Sequence, residues 1–233
     1  MKILKSISSG ILPCLLLVFM LSSRAEIVNA QKRISFGIHA DPLVGWFTSE
    51  NKKVVLNEGA RPGFNFGLTF NSYFTDNYAF STGLSLITAG GKLIYNDTVT
   101  MALNSAVKVL PGNDVIYSIK YLSIPVGLKF QSNQIGYITF FTDLGIDPKF
   151  VLGGKADIPL MEIKKESASA ELKDFNLGYH VTAGIEYSLG GTTAMVLGLT
   201  FDSNFIDITQ DTGDQPIDKI LHKMLGFRLG VNF

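Results

Sequence analysis

The final nine residues of the chain, 225 to 233, alternate strictly between apolar and small or polar side chains. The apolar positions are Leu225, Phe227, Leu229, Val231 and Phe233, and between them lie Gly226, Arg228, Gly230 and Asn232. Because successive side chains of a strand point to opposite faces, this segment predicts a β-strand with one apolar face. That face can turn toward a protein core in water or toward lipid in a closed barrel. The rest of the chain distinguishes these two environments.

The same period of two recurs along the chain and predicts eight strands in all. Their ranges are 34–47, 63–74, 78–88, 117–130, 135–152, 175–188, 193–205 and 225–233. In the fourth strand the apolar residues occupy odd positions up to Tyr121 and even positions from Leu122 onward. This change of parity predicts a β-bulge near Tyr121 and Leu122.

The connections between these strands alternate between short and long. The short ones are 75–77, 131–134 and 190–192, and the long ones are 48–62, 89–116, 153–174 and 206–218. Outer-membrane barrels have short periplasmic turns and long external loops. The sequence therefore predicts an all-β fold, an eight-stranded antiparallel up-and-down transmembrane β-barrel. It also predicts a location in the cell outer membrane, with both termini periplasmic.

Aromatic residues lie near both ends of the predicted strands, where membrane interfaces select for them. Predicted interface aromatics are Trp46 at the long-loop end and Phe74, Tyr78, Phe130, Tyr187 and Phe233 at the short-turn end. The expected partners are outer-membrane lipid and, during biogenesis, the barrel-insertion machinery. By resemblance to other outer-membrane barrels, Phe233 is expected to belong to the signal that this machinery recognises.

The first 30 residues have the features of an export signal. Lys2 and Lys5 precede an apolar run of 11 residues, Ile11 to Leu21, which is shorter than the roughly 18 to 20 residues of a spanning helix. Small residues allow cleavage after Ala25 or Ala30, and the second site is favoured. We therefore expect a secretory signal peptide at 1–30 and an outer-membrane β-barrel at 31–233. The single cysteine, Cys14, would be removed with the signal.

Charge and motifs exclude several classes of function. Removal of the signal takes Lys2, Lys5, Arg24 and Glu26 from 20 basic and 20 acidic residues, which leaves 17 and 19. Nucleic-acid binding is not expected, because it would require a basic face or stripe. The sequence contains no Gly-x-Ser-x-Gly or His-Glu-x-x-His pattern. We expect no enzyme, no cofactor and no catalytic or metal site, although His222 with Asp207 or Asp218 offers a candidate base.

Inward-facing charged residues are the remaining candidates for a site. The predicted lumen network consists of Lys129, Asp143, Glu186, Asp202 and Arg228. Lys129 is expected to pair with Asp143, and Arg228 with Asp202 and Glu186. An eight-stranded barrel has an interior just wide enough for side chains, so these charges are expected to plug it. The alternative is a narrow porin-like channel, which would require a wider lumen or a mobile network.

One segment resembles a known family. The decapeptide Tyr121-Leu122-Ser123-Ile124-Pro125-Val126-Gly127-Leu128-Lys129-Phe130 is similar to the YLxIPxxxKF/Y strand of the PorT-like outer-membrane β-barrel family of Bacteroidetes. The resemblance implies an outer-membrane barrel, and a few members of that family are linked to type IX secretion. The main expectation is a structural or interaction protein that acts through its external loops. The alternatives are an accessory of type IX protein secretion, with other envelope or secretion-system proteins as partners, and the channel.

Overall fold

Eight strands close into an antiparallel ring in the computed structural model, which describes residues 34–50, 55–103, 106–210 and 219–233. The strands in chain order are β1 (Ile34–Ser49), β2 (Val55–Thr75), β3 (Tyr78–Tyr95), β4 (Val99–Ala102), β5 (Ala106–Val109), β6 (Asp114–Ser123), β7 (Val126–Gln131), β8 (Ile138–Ile158), β9 (Ile163–Ser167), β10 (Phe175–Gly190), β11 (Thr193–Asn204) and β12 (Ile220–Asn232). β6 and β7 together form the fourth barrel strand, between β3 and β8. β1 pairs with both β2 and β12, which closes the ring. The predicted eight-stranded antiparallel barrel is confirmed.

The predicted signal peptide, residues 1–30, lies outside the described residues. Among the residues that are described, no helix is long and apolar enough to cross a membrane.

The half of the barrel near the short turns is apolar outside and polar inside. On β3, the outward-facing Tyr78, Phe80 and Leu84 are largely exposed, whereas the inward-facing Ser81 and Ser85 are buried. In a water-soluble sandwich the apolar side chains are buried and the polar ones exposed, whereas here the apolar side chains are exposed and the polar ones buried. The outer surface therefore suits lipid, and the lumen suits hydrogen-bonding groups. This pattern recurs around the barrel and on the closing strand β12, with Phe141 and Val196 as apolar side chains inside.

The pattern inverts toward the long loops. Beyond Leu86, the outward side of β3 carries Thr88 and Lys92, while the inward-facing Leu93 and Tyr95 are buried. The same alternate positions of β3 continue to face inward, so only the types of residue on the two faces change. We infer that this is where the barrel wall leaves the hydrocarbon layer, because beyond that level water lies outside and an apolar core forms inside.

The inversion explains why the predicted bulge in the fourth strand is wrong. Tyr121 and Ser123 both face inward, and the odd positions stay inward as far as Lys129. The register shift lies against β8 instead: Lys120 opposes Gly153 and Tyr121 opposes Val151, so the extra residue belongs to β8. Between β6 and β7 the ladder is interrupted at Pro125, which has no N–H to donate.

The barrel strands also extend further than the sequence predicts. β3 continues to Tyr95 rather than ending at Thr88, and β2 begins at Val55 rather than Gly63. These additions lie on the long-loop side, where glycines, charges and an inverted pattern hide the alternation of a lipid-facing strand.

A cap closes the long-loop end, and it consists of the β4–β5 hairpin and residues 159–174 and 205–210. Its segments are joined by hydrogen bonds: the backbone N–H of Lys173 donates to the carbonyl oxygen of Ile208 at 3.0 Å. The backbone N–H of Ala102 donates to the carboxylate of Glu171. The long loops therefore pack on one another rather than standing apart.

Candidate functional site

The lumen holds three layers of polar side chains, and the lowest lies near the short turns. There Lys129 of β7 forms an ion pair with Glu186 of β10. The amide nitrogens of Gln131 and Asn232 donate to the same carboxylate, each at 2.7 Å. The ammonium of Lys129 also lies 5.0 Å from the ring centre of Phe141. These contacts bridge opposite sides of the barrel and fill its lower end.

The middle layer contains two histidine–carboxylate groups, of which the first is centred on Asp41. The Oδ2 atom of Asp41 lies 2.9 Å from Nδ1 of His39 and accepts the amide N–H of Asn65 at 3.0 Å. The guanidinium of Arg228 donates to the same oxygen at 3.4 Å. Three strands therefore converge on one buried carboxylate, which is 2% exposed.

The second group is centred on His180 of β10. Its Nδ1 lies 2.9 Å from Asp147 and its Nε2 lies 3.5 Å from Asp143. The hydroxyl of Ser81 donates to the other oxygen of Asp143 at 2.7 Å. A histidine between two carboxylates is held in one orientation, because both of its ring nitrogens have partners.

The upper layer is an ion pair whose cation has no access to solvent. Lys149 of β8 is 0% exposed, and its ammonium binds the carboxylate of Asp202. The same ammonium donates to the side-chain oxygen of Asn204 at 3.0 Å. Burial of a charge is tolerated only with such close compensation.

Inward-facing glycines make room for these side chains. A Cβ at Gly67 would lie 2.4 Å from Nε2 of His39, and one at Gly145 would lie 2.6 Å from Cε1 of His180. The small residues on the polar face of each strand therefore have a steric role, since they leave space for imidazole rings from neighbouring strands.

A cavity of about 50 Å³ remains between the middle and upper layers, lined by both histidine groups and Asp202. This volume suits a few water molecules rather than an organic substrate. Within the described residues, no group of three or more His, Cys, Asp or Glu side chains is arranged to hold a metal ion.

Above the polar layers lies a cluster of apolar side chains, which we call the cap core. Phe47, Leu93 and Ile119 enter it from the barrel wall, and Val99 and Met101 enter it from the hairpin; each is at most 1% exposed. The cap therefore closes the long-loop end of the barrel with an apolar core of its own. The sequence signal for it was the apolar odd parity of Tyr117, Ile119 and Tyr121, which we interpreted as a bulge.

All five residues of the predicted network line the lumen, but the expected pairs differ from those observed. Lys129 and Asp143 are direct neighbours in the register of β7 and β8, as expected. The ammonium of Lys129 nevertheless reaches across to Glu186, and Asp143 contacts His180 instead. A long side chain in a narrow lumen can reach strands that do not neighbour its own.

The second predicted group, Arg228 with Asp202 and Glu186, is divided among all three layers. Arg228 contacts Asp41 rather than Glu186 or Asp202. Asp202 instead pairs with Lys149, a residue that the sequence reasoning missed. The strand pattern could have placed Lys149 in the lumen, because it lies six residues beyond Asp143 on the same strand and therefore faces the same side.

The candidate base His222 is not placed for catalysis at a rim. It is fully buried, its ring centre lies 4.8 Å from that of Phe47, and Nδ1 lies 2.9 Å from the hydroxyl of Tyr121. Asp207 belongs to the cap, where it accepts the backbone N–H of Ile220 at 2.9 Å. Asp218 lies outside the described residues.

The predicted interface aromatics lie on the outer wall. At the short-turn end, Tyr78 contacts Phe74 and Phe130, with ring centres 6.2 and 5.6 Å apart. Tyr187 and Phe233 are exposed at the same end. Trp46 lies toward the long loops, with its ring centre 6.4 Å from that of Phe201.

Comparison with known proteins agrees with this architecture. Residues 28–210 match the model of a family described as "Outer membrane protein beta-barrel domain". The chain belongs to this family. Membership in the outer-membrane β-barrel family assigns the protein to the outer membrane. No protein of curated function matches the sequence.

Several solved structures are similar to this chain at low sequence identity. Neisserial surface protein A is 12% identical over 84% of this chain and 95% of that chain, with a TM-score of 0.45. OprG from Pseudomonas aeruginosa is 11% identical over 86% and 95%, with a TM-score of 0.44. Ail of Yersinia pestis, in complex with a heparin analogue, is 12% identical over 86% and 99%, with a TM-score of 0.42.

Proposed function

We propose that the protein is a closed outer-membrane barrel that acts as a structural or interaction protein through its cap. The observation that carries this proposal is the combination of a lumen filled by ion pairs and a cap core above it. Together they leave only small cavities in the lumen, of about 50 and 20 Å³. Because the two histidine–carboxylate groups line this small interior space, we propose that they have a structural rather than a catalytic role.

The cap is the part of the molecule suited to contact a partner. Hydrogen bonds between its segments, such as the one from Gln210 N–H to the carbonyl oxygen of Glu171 at 2.8 Å, constrain its shape. A constrained surface loses little conformational entropy on binding, which favours specific recognition. Loops on a rigid barrel are also the segments that most readily carry function.

Planar bilayer recordings test whether the barrel is closed. Purified folded protein should produce no discrete conductance steps, because ions would have to displace the Lys129–Glu186 and Lys149–Asp202 pairs as well as the cap core. A general porin, inserted under the same conditions, provides the positive control. Reproducible unitary steps from the folded protein would overturn the closed-barrel proposal and favour the narrow channel.

We also propose that both termini are periplasmic and that the cap faces the outside of the cell. The barrel region after residue 30 contains no cysteine, so single introduced cysteines can report on sidedness. A membrane-impermeant maleimide should label Lys164→Cys in the cap on intact cells and should label Asp76→Cys in a short turn only after lysis. The opposite pattern would reverse the orientation.

A finer assignment, to the PorT-like group, is proposed from the decapeptide Tyr121–Phe130. This segment spans the break between β6 and β7 and contributes Lys129 to the lumen, so an architectural role accounts for its residues. An accessory role in type IX secretion is proposed on the resemblance alone. Comparison of the secreted proteins of wild-type and deletion strains tests it, and an unchanged secretome would exclude it.

A further inference from the structure

The lumen carries more negative than positive charge. In the part of the chain that the structure describes, five carboxylates and three lysine or arginine side chains lie there: Asp41, Asp143, Asp147, Glu186 and Asp202, with Lys129, Lys149 and Arg228. A proton on His180 would cancel one of the two excess negative charges. His39 contacts the same Asp41 oxygen as Arg228, where a second positive charge would be repelled. Because uncompensated charge is costly in a buried interior, the lumen requires a further positive charge.

Two of these carboxylates use only one of their oxygens. Three neighbouring side chains converge on Oδ2 of Asp41, whereas its Oδ1 is buried and has no hydrogen-bond partner among the described residues. In Asp147, Oδ1 contacts His180, and the buried Oδ2 likewise has no partner in the described part of the chain. A buried acceptor is stable only beside a donor or a cation. Both free oxygens therefore favour such a group next to them.

A neutral side chain indicates the same chemistry. Asn65 opposes Asp41 in the register of β1 and β2, and its amide N–H donates to that carboxylate at 3.0 Å. This bond determines which end of the amide is the oxygen, because the reverse orientation would place two acceptors side by side. Asn65 is 9% exposed, and its amide oxygen is buried without a partner within the described ranges.

All of these free oxygens belong to residues that line the cavity of about 50 Å³. Among the described residues around this cavity, the buried side-chain atoms without a hydrogen-bond partner are oxygens and never nitrogens. They belong to Asp41, Asn65, Asp143 and Asp147. A cavity with free acceptors and excess negative charge suits a cation and excludes an anion.

The size of the cavity and the spacing of its ligands favour a monovalent ion. A water molecule needs roughly 10–15 Å³ of such space, so the cavity has room for one ion and two or three water molecules. No three of the described His, Cys, Asp or Glu side chains are arranged to hold a metal ion directly. Ca²⁺ takes about six to eight oxygen ligands, and Mg²⁺ retains several waters in a rigid octahedron. Neither requirement is met here.

We propose that this cavity binds one monovalent alkali cation. The free oxygens of Asp41 and Asn65 are its direct ligands, and water molecules connect it to Asp147. The ion compensates excess negative charge and joins β1 and β2 to β8 across the lumen. It departs from the expectation, made from the sequence, of no metal site. Because ion pairs lie below and above the cavity, the ion enters as the ring closes during folding.

Equilibrium unfolding in urea tests the site on protein refolded separately in KCl, NaCl or N-methyl-D-glucamine chloride, in a non-ionic detergent. Mixtures with the organic salt keep the ionic strength constant, and its cation is too large for the cavity. A ligand that binds only the folded state raises stability with the logarithm of its concentration above the dissociation constant. The urea midpoint should therefore rise with KCl or NaCl, and the ion that gives the larger rise is the preferred occupant.

Variants locate the site. Asp41→Asn removes one negative charge at nearly unchanged volume, and it should weaken the apparent affinity for the cation by at least about ten-fold, because the ion loses a unit charge beside it. Asn65→Asp keeps an oxygen there and adds a charge, so it should strengthen the dependence on the cation. The matched control is Asn71→Asp, on the same face of β2 but outside this cavity, which should leave that dependence at the wild-type level.

A shift in gel mobility on boiling verifies that each variant is folded. Equal midpoints in all three salts would show that the cavity holds water only and would overturn the site. Wild-type cation dependence in both Asp41→Asn and Asn65→Asp would place the ion elsewhere. Stabilisation by CaCl₂ but not by the alkali chlorides would overturn the choice of a monovalent ion. Bilayer conductance does not depend on these outcomes, so the closed-barrel proposal stands or fails separately.

Discussion

Replacement of Lys149 with alanine should lower the free energy of unfolding by about 3–5 kcal/mol, because removal of one partner leaves a buried charge uncompensated. Lys149 is 0% exposed and holds both Asp202 and Asn204. In the variant, the Asp202 carboxylate would remain in the lumen without its cation. Equilibrium unfolding in urea or guanidinium, with the barrel in lipid vesicles or detergent, measures the change.

A double variant separates loss of the ion pair from loss of volume. Lys149→Met/Asp202→Leu removes both charges and retains most of the volume, and it should regain at least half of the stability lost by Lys149→Ala. Lys164→Ala, at an exposed position of the cap, should change the free energy of unfolding by less than about 0.5 kcal/mol. If Lys149→Ala behaved like Lys164→Ala, the upper layer would not be a compensated ion pair.

Replacement of Phe47 with alanine should cost about 3–5 kcal/mol of unfolding free energy, since it empties the centre of the cap core. Phe47 is 0% exposed and packs edge-on against Tyr117, with ring centres 6.0 Å apart. The polar layers lie below it, so the lumen pairs should persist while the cap loosens. Limited proteolysis should then cut the β4–β5 hairpin faster than in the wild type.

The matched control for Phe47→Ala is Leu110→Ala. Leu110 follows β5 in the same hairpin region but is 59% exposed, so its loss should change stability by less than about 0.5 kcal/mol. Equal unfolding free energies and equal cleavage rates for the two variants would show that the cap does not depend on a packed core.

The strands were predictable wherever lipid faces one side of the wall. The alternation in Leu225–Phe233 is a local property, and the structure pairs it with both β1 and β11. Prediction failed at Tyr121, where the apolar side chains change from the inner to the outer face. A period-two pattern shows which side of a strand is apolar. A change in its parity, however, can result either from a bulge in the chain or from a change in the surrounding medium.

The sequence predicted which charged residues line the lumen, but not which of them pair with one another. Parity placed Lys129, Asp143 and Glu186 inside the barrel, because inward positions follow directly from the strand pattern. Their partners depend on the tilt and stagger with which eight strands close. Closure allows Lys129 to reach Glu186 across the lumen, past the Asp143 that lies opposite it in the register.

By itself, the sequence determined that this chain forms a barrel of eight strands with short turns at one end and long loops at the other. Alternation and turn spacing are local, and lipid imposes them on each strand separately. Only the tertiary structure decided which charges pair, and that the long loops fold into a cap with an apolar core. Both outcomes depend on contacts between residues far apart in the chain, such as Tyr121 with His222 and Lys149 with Asp202, which exist only once the ring has closed.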